Sequence, residues 1–231
     1  PVPPNGDGPS LELIHPLADN DTGGSWRAST ATPAAVSYVA AGSPGWRFRR
    51  GVSEASSPIG AWRATDFTEV IDPVDAKKNW EEADLPIGLF KRNNNSPVAT
   101  LPEAGVTLKK QLPDMATFSG STFNAAYRSV FLRKTFTVSG DIPRALLLRV
   151  MHNDAAIVWI NGVEVVRFGF PPGAPADPAF NTTAIYERGN DPWSELVLTR
   201  AGTLLKPGAN VLALQGWSKA PQIRTEQDDP G

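Results

Sequence analysis

The chain contains no cysteine. That absence excludes disulfide cross-links, thiolate metal sites and a cysteine nucleophile together. It does not exclude export, since large extracellular bacterial β-domains can manage without disulfides. Histidine is scarce as well: only His15 and His152, far apart in the chain. Neither stands beside a Ser-x-Gly elbow or in metal-ligand spacing, so both read as structural residues. No run approaches the roughly eighteen apolar residues of a membrane-spanning helix. Neither sign of charge dominates, with 22 basic and 24 acidic residues leaving a formal charge of −2. The basic footprint expected of a nucleic-acid or anionic-membrane binder is therefore missing.

What is present points to β-structure. A length of 231 residues suits one large all-β domain or two small ones, and 41% hydrophobic content is enough for a real core. Twenty glycines and 22 prolines, scattered evenly, favour many short strands joined by turns and would break long helices. The opening Pro1-Val2-Pro3-Pro4-Asn5-Gly6-Asp7-Gly8-Pro9 and the closing Gln227-Asp228-Asp229-Pro230-Gly231 both read as linkers, so the chain is expected to be a piece of something longer.

The organising stretch is residues 146–168. Asn161-Gly162 lies between two β-branched, aromatic-containing runs, Ile157-Val158-Trp159-Ile160 and Val163-Glu164-Val165-Val166. A type I′ turn needs φ > 0 at both central positions, which Asn-Gly supplies, so a hairpin is expected here. Both runs are almost wholly apolar, which places the hairpin centrally with both faces covered. Further strands are expected at residues 10–14, 36–39, 46–50, 127–138, 195–198 and 210–217. In the third of these, Trp46 and Phe48 share a face with Arg47 and Arg49 opposite. Residues 91–121 show little periodicity and read as a long connection.

Three stretches of the second half carry a resemblance. Tyr127 to Phe136 fits Y-x-x-x-F-x-R-K-x-F, Ala155 to Gly162 contains A-x-V-W-I-N-G, and Leu205 to Leu214 fits L-K-P-G-x-N-x-L-A-x. Together they resemble the galactose-binding-like jelly roll, the β-sandwich of many carbohydrate-binding modules and of sugar-binding domains in several glycoside hydrolases. The first half has Trp46, Arg49-Arg50-Gly51, Ala61-Trp62-Arg63, Asp66-Phe67, Trp80 and Leu85-Pro86-Ile87-Gly88. It is similar to the front of modules in large secreted proteins of environmental bacteria. Residues 10–29, with Leu11-Glu12-Leu13-Ile14-His15-Pro16 before Trp26, resemble the end of a lamin-tail-like domain.

The resemblance implies an all-β, jelly-roll-type β-sandwich with an N-terminal extension packed on it. It implies a linker and lamin-tail-like remnant over 1–35, the sandwich over 36–220 with a long insertion near 91–124, and a linker over 221–231. It further implies a secreted or cell-surface protein with no catalytic residues, in one of two roles. The first is a carbohydrate-binding module that holds a polysaccharide or glycan through loop aromatics and polar side chains. The second is a structural or adhesive module that associates with neighbouring domains or with copies of itself.

Most of the seven tryptophans are expected in the core, Trp46, Trp62 and Trp159 among them. Arg188, Asn190, Asp191 and Trp193 bring a guanidinium, an amide, a carboxylate and an indole into one polar turn, the mixture a sugar needs. Trp80, beside Asn79, Glu81 and Glu82, and Phe170, before Pro171-Pro172, are the other aromatic candidates for an exposed sugar platform. Asp154 follows His152-Asn153 at a strand corner, where Asn and Asp commonly satisfy backbone groups. The resemblance implies one structural calcium ion, for which Asp154 is the candidate ligand. The adjacent pairs Glu81/Glu82 and Asp228/Asp229 point to opposite sides of an extended chain and give no support for acid–base catalysis.

Overall fold

A computed structural model describes residues 11–13, 19, 21–28, 36–40, 42–91, 97–98, 100–101, 106–119, 122–152, 154–182 and 193–218. The chain divides into two compact units, Pro1–Ser37 and Tyr38–Gly231. In the first, Leu11–Leu13 pairs antiparallel with Trp26–Ala28, Leu13 lying opposite Trp26, and Gly23–Ser25 forms a 3-10 turn. The strand expected at residues 36–39 does not form. Val36 is largely exposed, and Tyr38 instead sets its ring 5.9 Å from Phe136.

Eight strands frame the second unit: β1 (Trp46–Arg50), β2 (Glu81–Ala83), β3 (Ser129–Val138), β4 (Leu146–Met151), β5 (Ala155–Ile160), β6 (Val163–Phe168), β7 (Trp193–Leu198) and β8 (Gly208–Trp217). Six of them form one antiparallel sheet in the order β6-β5-β8-β3-β1-β2. The other two, β4 and β7, pair with each other. Their Leu146 and Leu198 pack with Phe136, Val138, Ile160 and Leu212 of the large sheet, which closes the second leaf of an all-β sandwich. Among the described residues the only α-helix is the single turn Ala201–Leu204.

The central hairpin forms as the sequence predicts. Asn161 and Gly162 sit at φ 51° and 82°, and β5 and β6 pair around them, with a register shift between Val158 and Trp159. Every residue of β5 is buried, because the strand has neighbours on both edges and packed layers on both faces. Asn161 also does more than turn the chain. Its amide donates to the Leu204 carbonyl at 2.8 Å and to Asn210 Oδ1 at 2.7 Å, while its Oδ1 accepts the Val211 N–H at 2.9 Å. Asn210, fully buried, accepts the Lys206 N–H and donates to the carbonyls of Lys206 and Gly208. The hairpin tip and the Leu205-Lys206-Pro207-Gly208 turn are thus fastened by two asparagines.

Both faces of the large sheet are covered. On one face Phe131, Ile157, Trp159, Val211, Ala213 and Trp217 form a core with Ala55, Trp62 and Trp80, so residues 51–80 lie over that face as a cap. On the other face Phe48, Val130 and Leu132 pack with Ala83, Leu112, Tyr127 and Met115, beside the layer formed by β4 and β7. The front of the second unit is therefore part of the sandwich itself, giving strands β1 and β2 to the sheet and the cap to its face. Residues 91–121, expected as an irregular connection, contain paired two- to four-residue strands, Ala116–Ser119 with Thr122–Ala125 being the longest. Strands so short show no readable alternation in sequence.

Candidate functional site

Three arginines of the sheet hold the cap down. Arg49 is buried, and its Nε donates to the Lys78 carbonyl at 2.6 Å. Its Nη1 donates to the carbonyls of Ser53 at 2.7 Å and Arg50 at 3.3 Å, and its Nη2 to the Ser53 hydroxyl at 2.7 Å. Burial pushes the Arg49 guanidinium down from its ordinary value, and Glu54 is the strongest charge opposing that shift. Arg133 donates to the Ala64 carbonyl at 3.0 Å, and Arg47 grips Glu69 with Nη2 at 2.6 Å. A fourth, Arg63 of the cap, lies 3.8 Å above the Trp159 ring and pairs with Asp177 at 2.6 Å, tying the 170–182 loop to the cap. Guanidinium donors serve here because each fork can satisfy several carbonyls that irregular backbone leaves unpaired.

Between the cap and its own 66–80 arm lies a cleft of about 510 Å³. Its apolar wall is Trp80 and Phe67, whose rings meet edge-on at 6.1 Å, together with Ala55 and Val70. Its polar groups are Glu54, Ser56, Ser57, Thr68, Asp72, Lys78 and the inner edge of Arg49. Local hydrogen bonds preset the arm. The Asp72 N–H donates to Asn79 Oδ1 at 2.6 Å, and Asn79 Nδ2 returns a bond to the Asp72 carbonyl at 3.2 Å. Asp72 Oδ1 accepts the N–H groups of Val74 at 2.8 Å and Asp75 at 3.0 Å. These two backbone donors, Asp75 first, hold the Asp72 carboxyl below the usual carboxylate range. Asp75 in turn accepts the Lys77 N–H and opens the 3-10 turn Ala76–Lys78.

Several polar groups of the cleft keep capacity for a ligand. Glu54 Oε1 accepts the Phe180 N–H at 3.0 Å, while Oε2 takes no hydrogen bond from the described residues. The exposed hydroxyls of Ser57 and Thr68 make no bond to a described residue either. Ser56 is different: it donates to the Pro58 carbonyl and accepts the Trp62 N–H, so it serves the turn.

Of the sequence candidates whose side chains the structure describes, Trp80 alone lies at this cleft. It is not the exposed platform expected of it: it is buried at 7% exposure, with the Trp62 ring 5.9 Å and the Phe67 ring 6.1 Å away. Phe170 is directed into the core, edge-on to Trp217 at 5.2 Å with Arg167 over its other side. The loop position expected for Trp193 is corrected: its backbone is the first residue of β7, opposite Met151. Arg188, Asn190 and Asp191 lie outside the described residues. Asp154 is buried at φ 62°, at the corner where β4 passes to β5. Among the described residues no three His, Cys, Asp or Glu side chains gather at one point.

Sequence reading missed Glu54, Phe67, Thr68 and Asp72. One signal was available: Asp72-Pro73-Val74-Asp75 carries the Asx-turn residues that preset the arm. Glu54 had no such mark, since only the folding of the cap over the sheet brings it to the cleft.

No family profile matches the chain, and no curated protein matches it in sequence. Among solved structures, the chain is similar to a β-glucuronidase from glycoside hydrolase family 2, at 16% identity and TM-score 0.38 over 75% of this chain and 13% of that one. It is also similar to a β-glycosidase from Bacteroides vulgatus, at 16% identity and TM-score 0.33 over 74% of this chain and 16% of that one. The chain thus spans less than a fifth of either protein.

Proposed function

We propose that the second unit is a non-catalytic carbohydrate-binding module and that the cleft under the 66–80 arm is its glycan site. The observation that carries this reading is the composition of the cleft. An aromatic and aliphatic wall faces the unengaged Oε2 of Glu54 and the hydroxyls of Ser57 and Thr68. A pyranose has apolar C–H faces and a rim of hydroxyls, and it needs both kinds of surface.

Affinity gel electrophoresis with a panel of soluble polysaccharides tests the proposal. Wild type should be retarded by at least one glycan, and Thr68→Trp, which fills the cleft from its exposed rim, should run freely while melting normally. Retardation that survives Thr68→Trp but is lost in Trp193→Ala would move the site to residues 188–193.

A second reading, self-association, is favoured by the outer face of the ribbon formed by β4 and β7. Leu147 and Val197 are cross-strand partners there at 63% and 60% exposure, next to the Arg149–Glu195 pair at 2.6 Å. Sedimentation of wild type and Leu147→Glu decides it: a concentration-dependent dimer lost in the variant supports that reading, and a monomer at all concentrations overturns it.

A further inference from the structure

The charges around the cleft are paired in a way that bears on which glycans it can take. Its lining holds two cations, Arg49 and Lys78, and two anions, Glu54 and Asp72. The cations are committed. Arg49 is 5% exposed and directs its donors to three carbonyls and a hydroxyl of the cap and β1. The Lys78 ammonium lies 3.6 Å from Asp72 and 3.7 Å from Asp75, between two carboxylates. The anions are not committed to the same degree. Glu54 keeps Oε2 open, and Asp72 keeps Oδ2 beside Lys78 with no other donor from the described residues.

We infer that the cleft selects neutral, polyhydroxylated glycans and rejects acidic ones. An incoming uronate or sulfate would meet acceptor oxygens that it can only repel, while both cations already face carboxylates or carbonyls. Releasing Lys78 to pair with it would leave Asp72 and Asp75 uncompensated, and Arg49 cannot leave its carbonyls without stranding buried acceptors. A neutral sugar asks for the reverse: its hydroxyls donate to Glu54 Oε2 and Asp72 Oδ2, and accept from Ser57 and Thr68. The inference rests on the reading of this cleft as a glycan site.

The test compares neutral polysaccharides (galactan, xylan, mixed-linkage glucan) with acidic ones (polygalacturonate, alginate) in affinity gels at low and at high salt. The expected result is retardation by a neutral polymer at a concentration at least about ten-fold lower than by any acidic one at low salt, a gap that narrows at high salt as the repulsion is screened. Equal or stronger retardation by an acidic polymer overturns the inference while leaving the glycan site standing. No retardation by either class overturns the glycan reading itself. Glu54→Gln supplies the second arm, since its amide oxygen can still accept the Phe180 N–H. It should keep the melting temperature and narrow the neutral-over-acidic gap several-fold; an unchanged gap in the folded variant counts against Glu54 as the discriminating group.

Discussion

Gly162 and Gly51 are required for unlike reasons. Gly162 is at φ 82° with open space around a built Cβ, so its constraint is backbone conformation alone. Gly162→Val should destabilise the fold by about 1–3 kcal/mol in urea titration, the strain of a β-branched residue in the left-handed region. At Gly51 the constraint is space: a Cβ would stand 2.6 Å from the Ser129 carbonyl oxygen, which accepts the Gly51 N–H at 2.8 Å. Gly51→Ala should cost about 1–3 kcal/mol by pushing β1 off β3. Only the first of these was legible in sequence, because Asn-Gly announces a turn whereas close approach needs the partner strand. Tyr127 makes a third prediction. Burial first, then Asp114, whose carboxylate accepts its hydroxyl at 3.1 Å, pushes the phenol well above its ordinary range. The fold therefore favours the neutral phenol. That contribution is complete below about pH 10 and is lost as pH rises beyond it. Ultraviolet titration should show one tyrosine ionising only with alkaline unfolding, and Tyr127→Phe should remove that late step.

Among the elements, the hairpin and the cap differ in how they announce themselves. The β5–β6 hairpin is visible in sequence because its turn and its strands are contiguous. The alternation of Trp46 and Phe48 against Arg47 and Arg49 was also legible, but not its consequence. The arginine side is covered, Arg49 buried and Arg47 half-buried, since these two and Arg133 find acceptors in the cap. Polar residues on one face of a strand suggest solvent unless the covering segment is known, and the cap is irregular. The same arrangement predicts how fragments behave. Residues 122–217 alone would lose β1, which pairs with β3, and would uncover Phe131, Trp159 and Trp217. That fragment should aggregate or bind a hydrophobic dye; a cooperative melt like that of the full chain would show that the cap is dispensable. Trp62→Ala, at a fully buried ring meeting Phe131 and Trp159 edge-on, should cost about 3–5 kcal/mol by loss of the cap's anchor.

At the scale of the whole molecule, the sandwich is a rigid base, and the candidate site sits on the segment laid over its face. Expectation from sequence placed the site on loops at residues 188–193, following the usual division between rigid sheets and variable loops. The cap fulfils that division differently. Its arm is irregular backbone, yet it is preset by Asp72, Asn79 and the buried Arg49, so little ordering remains to oppose binding. The fold class was legible from composition, the hairpin and the closing Leu-Lys-Pro-Gly turn. The site was not, because its members are separated in sequence and, beyond Trp80 and the Asx-turn residues Asp72 to Asp75, none carried a signal of its own. The most direct measurement is calorimetric titration of the intact chain with the neutral oligosaccharide that best mimics the retarding polymer, in wild type and in Thr68→Trp. Saturable heat in wild type and none in a Thr68→Trp protein of unchanged melting temperature is the predicted result, and equal binding by both would contradict the cleft as the glycan site.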